Sequence, residues 1–137
     1  MIDPEKTSFR DLDGNAVLPA PSSPLELWYE SVRDTEIADM YVGDLARACR
    51  QGLFLAEILP TCLVVLRHDP LAGEMLEGEL LLACIGAPET VLNPDIIRVL
   101  CKVSRSAIRL QSIEGYHVPD PDHLLPCINA YLEKFCL

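Results

Sequence analysis

Helix-start signals recur along this chain and constrain its fold more than any other feature. Ser23-Pro24 and Asn93-Pro94 each place a capping side chain directly before a proline, which is typical of the first turn of a helix. Gly43-Asp44 and Gly78-Glu79 each place an acid where the free amide groups of a first turn favour negative charge. These pairs predict that the chain is divided into helices.

Apolar residues recur at helical spacing after these starts. In the third predicted helix, Leu63, Val64 and Leu66 are expected to face inward. Pro60 is expected to restart the helix at a first turn rather than to kink it. Strand signals are scarce, because "CLVVL" is the one β-branched run and its neighbours have helical spacing. The sequence therefore predicts an all-α fold, a single compact domain of five to six helices.

The first 22 residues differ in composition from the rest of the chain. They are polar and end in the proline-rich stretch "LPAPSSP", with a local turn predicted at Asp13-Gly14. We expect an N-terminal proline-rich arm or linker over residues 1–22 and a helical domain over residues 23–137.

The net charge bears on the class of partner. The chain has 21 acids against 11 bases, a formal charge of −10, which disfavours direct binding to nucleic acid and favours a basic protein partner. No uncharged apolar run reaches the ~18 residues of a membrane span, and the first residues lack the apolar segment of a signal peptide. We therefore expect a cytoplasmic protein that does not bind membranes.

The six cysteines are not spaced as C-x-x-C pairs. Cys49, Cys62, Cys84 and Cys101 lie inside apolar runs. The sequence predicts that they are buried thiols of a reducing compartment, without a disulfide scaffold.

Carboxylates around residue 77 raise the question of catalysis. Glu79 follows Gly78 directly, so a helix start explains its position.

His123 and Cys127 have the spacing of two metal ligands on one helix face, but zinc needs three or four ligands and no second pair follows. Glycine-rich phosphate loops and a G-x-S-x-G motif are absent. The sequence thus predicts no catalytic residue, metal, cofactor or small-molecule substrate.

The order of the segments is more specific than any one of them. "LELWYE" is followed by "GDLARACRQG" and then by "VLRHDPLAGEMLEGELLLACI". This order resembles an all-α family of the immunity proteins of bacterial contact-dependent growth inhibition (CDI) systems, over about residues 25–86. The matching residues are Asp44, Leu45, Arg50, Gln51, Pro60, Leu66, Asp69-Pro70-Leu71-Ala72 and Gly78-Glu79-Leu80-Leu81.

The resemblance implies a function. Such a protein stays in the cytoplasm and binds the C-terminal toxin domain of an effector exported by sibling cells. It blocks that toxin, often a nuclease acting on tRNA or DNA, and has no catalysis of its own. Acids without a helix-start role are expected to face the toxin: Asp34, Glu36, Asp39, Glu74, Glu77, Asp120 and Asp122.

The matched residues are expected to form the scaffold instead: Asp44, Arg50, Gln51, Asp69, Pro70, Gly78 and Glu79. Arg50-Gln51 would hydrogen-bond loop carbonyls and a carboxylate such as Glu79. Trp28-Tyr29 is an alternative apolar anchor for a partner. Two other functions remain open, an acidic helical adaptor or regulator of another basic protein, and a metal-dependent enzyme.

Overall fold

The computed structural model describes residues 2–111 and 121–136, and this part of the chain confirms the all-α fold. No strand occurs in it; Ser8 and Glu36 form an isolated bridge. Two 3-10 turns, Ile37–Asp39 and Glu89–Val91, lie between helices. The α-helices are α1 (Phe9–Leu12), α2 (Pro24–Val32), α3 (Val42–Arg50), α4 (Leu55–His68), α5 (Glu79–Ile85), α6 (Pro94–Gln111) and α7 (Pro121–Phe135).

The capping residues predicted from the sequence begin two of these helices. Ser23 Oγ accepts a hydrogen bond of 3.1 Å from the Glu26 amide at the start of α2. Asn93 Oδ1 accepts one of 2.9 Å from the Ile96 amide at the start of α6. Both caps therefore satisfy amide groups that have no partner inside the helix.

Helix α4 differs from the prediction at Pro60. The sequence predicts a restart there, but α4 runs without a break from Leu55 to His68 with Pro60 inside it. Ala56, Pro60 and Val64 are four residues apart and all exposed, so water can reach the carbonyl that loses its amide partner. Val64, expected to face inward, is 53% exposed because it shares this outer face. The prediction for Val64 was therefore wrong.

Helix α5 lies at the centre of the domain and packs against α3, α4, α6 and α7. Leu80, Leu81 and Cys84 on this helix are fully buried. Gly78 precedes it with a φ of +83°, and a Cβ atom there would lie 2.8 Å from Leu124 Cδ2 of α7. Glycine is therefore required both for the backbone conformation and for the close approach of α7.

Part of the N-terminal segment, predicted as an arm or linker over residues 1–22, packs against the helical domain. Phe9 in α1 is fully buried, with its ring centroid 5.6 Å from that of Tyr29 and 5.3 Å from that of Phe54. The turn predicted at Asp13-Gly14 is present, with a φ of +74° at Gly14. The segment therefore packs with α2 and the start of α4.

An ion pair holds this segment in place. Arg33 donates hydrogen bonds to both carboxylate oxygens of Asp13, at 2.7 and 2.9 Å, and the Tyr29 hydroxyl donates a third at 2.8 Å. The hydrogen bond from Arg33 holds the pKa of Asp13 well below its ordinary value. Burial, and secondarily the bond to Asp13, raises the pKa of Tyr29 to about 12.

The prediction of a free thiol is wrong for Cys101. Cys101 in α6 and Cys136 after α7 form a disulfide with Cα atoms 5.9 Å apart. The pairing depends on the packing of α6 against α7, which spacing along the chain cannot reveal. Cys49, Cys62 and Cys84 are buried free thiols, as predicted.

Candidate functional site

The connector between α2 and α3, residues 34–41, is held by two buried side chains, Ile37 and Met40. Ile37 is fully buried within the 3-10 turn Ile37–Asp39. Asp34, Glu36 and Asp39 are exposed around it. The burial of Ile37 therefore fixes three acids on the surface of the domain.

The three connector acids differ in their partners. Asp34 forms an ion pair with Arg10, including an Nη2–Oδ2 hydrogen bond of 3.1 Å. The hydrogen bond from Arg10 lowers the pKa of Asp34. Glu36 and Asp39 make no side-chain hydrogen bond or ion pair with any described residue. Their charges are thus available to another molecule, whereas that of Asp34 is partly compensated.

The loop between α4 and α5, residues 69–78, is anchored at both ends. Asp69 Oδ1 accepts a hydrogen bond of 3.2 Å from the Leu71 amide, so Asp69-Pro70 forms the first turn after α4. The Ala72 carbonyl accepts one of 3.1 Å from the Leu80 amide in α5. Leu71 and Ala72 are buried, and the segment between residue 73 and Glu77 reaches the surface.

Glu74 in this loop lies against the first turn of α3. A Cβ atom at position 43 would lie 2.7 Å from Glu74 Cδ and 3.2 Å from Glu74 Cγ, so Gly43 makes this contact possible. An acid in this position is also favoured by the helix dipole. Asp39 precedes Gly43 by four residues, which limits their separation to ~14 Å. Glu36 and Asp39 on the connector and Glu74 on the loop beside the first turn of α3 are all exposed, and are hereafter called the acidic face.

The remaining predicted toxin-binding acids are placed differently. Glu77 is half-buried, and its Oε2 atom is buried without a hydrogen-bond partner among the described residues. The backbone of Asp122 lies in the first turn of α7, but its side chain is outside the described part of the chain. Asp120 lies outside the described residues altogether.

Asp44 and the two aromatic residues predicted as alternative anchors make contacts within the domain. Asp44 accepts a hydrogen bond of 2.8 Å from Trp28 Nε1, and the Arg47 guanidinium lies 5.0 Å from the Trp28 ring centroid. Tyr29 is bonded to Asp13. Trp28 therefore ties α2 to α3, and Tyr29 ties α2 to the N-terminal segment.

Arg50 does not form the tie expected from the sequence. It is the last residue of α3 and is exposed, and its side chain makes no hydrogen bond with Glu79 or any other described residue. Gln51 caps α3 through its backbone amide, 3.0 Å from the Arg47 carbonyl. Glu79 is the first residue of α5 and is mostly buried.

Sequence reasoning missed a set of exposed apolar side chains. Tyr41 at the start of α3 is 74% exposed, and Met75 and Leu76 in the loop are 82% and 42% exposed. The sequence feature that could have revealed them is the presence of large apolar residues within charged loops. Met75 and Leu76 also border a groove of about 960 Å³ between α5 and α7.

Metal binding, cysteine catalysis and membrane insertion each require features that can be sought among the described residues. They contain no group of three or more His, Cys, Asp or Glu side chains that could hold a metal ion. Hydrogen bonds with Cys49 and Cys62, together with burial, raise the pKa of Cys84, which disfavours the thiolate form. No described helix is long and apolar enough to cross a membrane.

Comparison with known proteins places the chain in a family. The search of curated proteins gave no match. The sequence model of a family described as CDI immunity proteins matches residues 12–98, which is more than half of the chain and includes the connector and the loop of residues 69–78. The chain therefore belongs to the family of CDI immunity proteins.

Proposed function

We propose that this protein binds the C-terminal toxin domain of its cognate CDI effector in the cytoplasm and neutralises it through the acidic face. Family membership supplies the class of partner. The observation that carries the choice of surface is that Glu36, Asp39 and Glu74 are exposed and unpaired within the described residues. A basic partner can therefore bind them without first breaking internal ion pairs.

We further propose that the toxin is a nuclease. A nuclease needs a basic surface to bind phosphates, and exposed carboxylates can imitate those phosphates. The formal charge of −10 agrees with such a partner, because opposite fields accelerate encounter. Asp34, Glu77, Asp120 and Asp122 are proposed as further toxin contacts, with Asp34 contributing less because Arg10 compensates it.

The proposal is tested by growth rescue. The toxin domain of the cognate CDI effector is expressed in susceptible cells with and without the immunity protein. We expect the wild-type chain to restore growth and to keep cellular tRNA and DNA intact on gels. The triple variant Glu36→Lys, Asp39→Lys, Glu74→Lys should fold, as judged by circular dichroism, and fail to protect.

A charge-matched variant separates the acidic face from total charge. Glu30, Asp95 and Glu133 are exposed on α2, α6 and α7, and changing all three to Lys alters the net charge equally. This control should protect as well as the wild type. A wild-type chain that neither binds the toxin domain nor restores growth would overturn the proposed function. Intact nucleic acids in dying unprotected cells would overturn the nuclease assignment alone.

A further inference from the structure

We infer that the groove between α5 and α7 receives an apolar side chain of the toxin domain that is flanked by basic residues. This inference rests on the proposed function and adds a second contact to the acidic face. The groove is bounded by the loop of residues 69–78, by α5 and by α7. Its volume of about 960 Å³ exceeds that of any single side chain, so it can accept one together with its neighbouring backbone.

The groove has an apolar floor and apolar side chains at its edge. Leu82, Ile85, Pro88 and Phe135 line it, while Met75 and Leu76 stand exposed on the loop beside it. Large apolar side chains that are exposed next to an apolar depression are typical of a binding surface. Binding a partner there would remove both the groove lining and the Met75 side chain from water.

Two acids and two bases line this groove, and two further acids lie in the loop beside it. Glu79 and Glu89 line it, and Glu74 and Glu77 flank Met75 and Leu76 in the loop. The bases are Arg50 and Lys134, and Lys134 is paired with Glu89 at 2.5 Å. The excess of acids favours a partner segment with basic residues on either side of its apolar side chain.

Arg50 fits a contact role better than a scaffold role. It is exposed at the end of α3 and has no hydrogen bond with the described residues. Its guanidinium can therefore donate to backbone carbonyls of an inserted segment. Arginine beside apolar side chains is a frequent composition of the residues that dominate binding energy.

The groove is also continuous with the acidic face. Glu74 is followed directly by Met75 in the same loop, and its carboxylate contacts Gly43 at the start of α3. One bound toxin surface can thus contact the acids on one side of the loop and the groove on the other. This continuity selects the toxin over a separate small-molecule ligand.

The test fills the groove without disturbing the core. Ala130 on α7 lines the groove and is exposed, so Ala130→Trp should occupy the space that the toxin side chain needs. Ala56 is an equally exposed alanine on α4, and Ala56→Trp is the matched control. Binding of the catalytically inactivated toxin domain is measured by surface kinetics, with folding checked by thermal denaturation.

We expect Ala130→Trp to raise the dissociation constant at least tenfold and Ala56→Trp to change it less than twofold. Met75→Gln should also weaken binding, whereas Leu27→Gln, at an exposed leucine on α2, should not. Wild-type affinity in both Ala130→Trp and Met75→Gln would overturn the inference while leaving the proposed function intact. The inference would also be wrong if Ala130→Trp abolished a homodimer, seen by light scattering, but not toxin binding. A wild-type chain that fails to bind the toxin domain rejects the proposed function itself.

Discussion

Arg33 contacts Asp13 through two hydrogen bonds, although 20 residues separate them in sequence. Both side chains are largely buried, with 7% of Arg33 and 14% of Asp13 exposed. Their pairing closes the N-terminal segment onto α2. A buried charge that loses its partner is strongly unfavourable, so the stability of the domain should depend on this contact.

Asp13→Asn should therefore lower the melting temperature by several degrees at pH 7. Because the folded pKa of Asp13 is lowered, the pair stabilises the fold above the unfolded pKa of Asp13 and loses this effect as pH falls through the folded pKa. The deficit of the variant should thus shrink below about pH 5. Thermal denaturation from pH 7 to pH 3 measures this trend.

Asp95→Asn provides the comparison, because Asp95 forms an exposed ion pair with Arg98. Exposed pairs contribute ~0–1 kcal/mol, so this variant should melt close to the wild type. If the melting temperature of Asp13→Asn stayed below that of the wild type by the same amount at every pH, the stabilisation by Asp13 and Arg33 would not depend on pH, and the prediction would be contradicted.

Gly43→Ala should weaken toxin binding without lowering the stability of the domain. The added methyl group would collide with the Glu74 side chain, which is exposed and can move away. Alanine in the first turn of α3 should leave stability unchanged or raise it by up to ~1 kcal/mol. We expect faster toxin dissociation, similar to that of Glu74→Ala, in surface kinetics. The double variant should show no further effect, and additive effects would argue against a shared cause.

Charge reversal in the connector should act on association. Glu36→Lys and Asp39→Lys should each slow binding to the toxin domain and flatten its salt dependence, because exposed charges steer encounter and are screened over ~8 Å at physiological ionic strength. Asp34→Lys should have a smaller effect, since Arg10 already compensates Asp34. Stopped-flow association at low and high salt measures the difference. Equal effects at all three positions would contradict the distinction drawn from the ion pair.

Glu74→Ala should instead raise the dissociation rate at least tenfold, which corresponds to ~1.4 kcal/mol. Its carboxylate is held at the start of α3 and would be enclosed by a bound partner, and losing one member of an enclosed charge pair acts on dissociation. Surface kinetics gives the rate, and an unchanged rate would exclude Glu74 from the contact.

Gly78→Ala and Gly52→Ala together test how closely α7 packs against the loop of residues 69–78. Both glycines have positive φ, so alanine should cost ~1 kcal/mol at either position from backbone strain. Only at Gly78 would the new methyl group also meet Leu124, which should raise the cost to ~2–4 kcal/mol. Urea denaturation measures both values. Equal losses would mean that α7 can move away from position 78 freely.

The helix starts could be predicted because their determinants are local. The caps at Ser23 and Asn93 depend on residues three positions away. In contrast, α1 is only four residues long, and the burial of Phe9 depends on the distant rings of Tyr29 and Phe54. The exposure of the Pro60 face likewise follows from the packing of α4, so neither feature could be read from a short window.

The acidic residues of the candidate site could be chosen from the sequence, but the sequence does not show which of them are paired within the domain. Asp34 is compensated by Arg10, which lies 24 residues earlier, and Glu74 is positioned by Gly43 of another helix. The groove also escaped prediction because its walls come from α5 and α7. Charge is a local property of a sequence, whereas pairing and concavity depend on tertiary packing.

The loop of residues 69–78 has tightly packed glycines on either side of an exposed middle segment. A Cβ atom at Gly73 would lie 2.9 Å from Glu79 Cβ, and one at Gly78 would meet Leu124, so a larger residue at either position should destabilise the domain. The intervening Glu74, Met75 and Leu76 are exposed and could change without disturbing the helices on either side. An immunity protein built this way could acquire a new toxin specificity by exchanging a few surface residues, while its folding stayed the same.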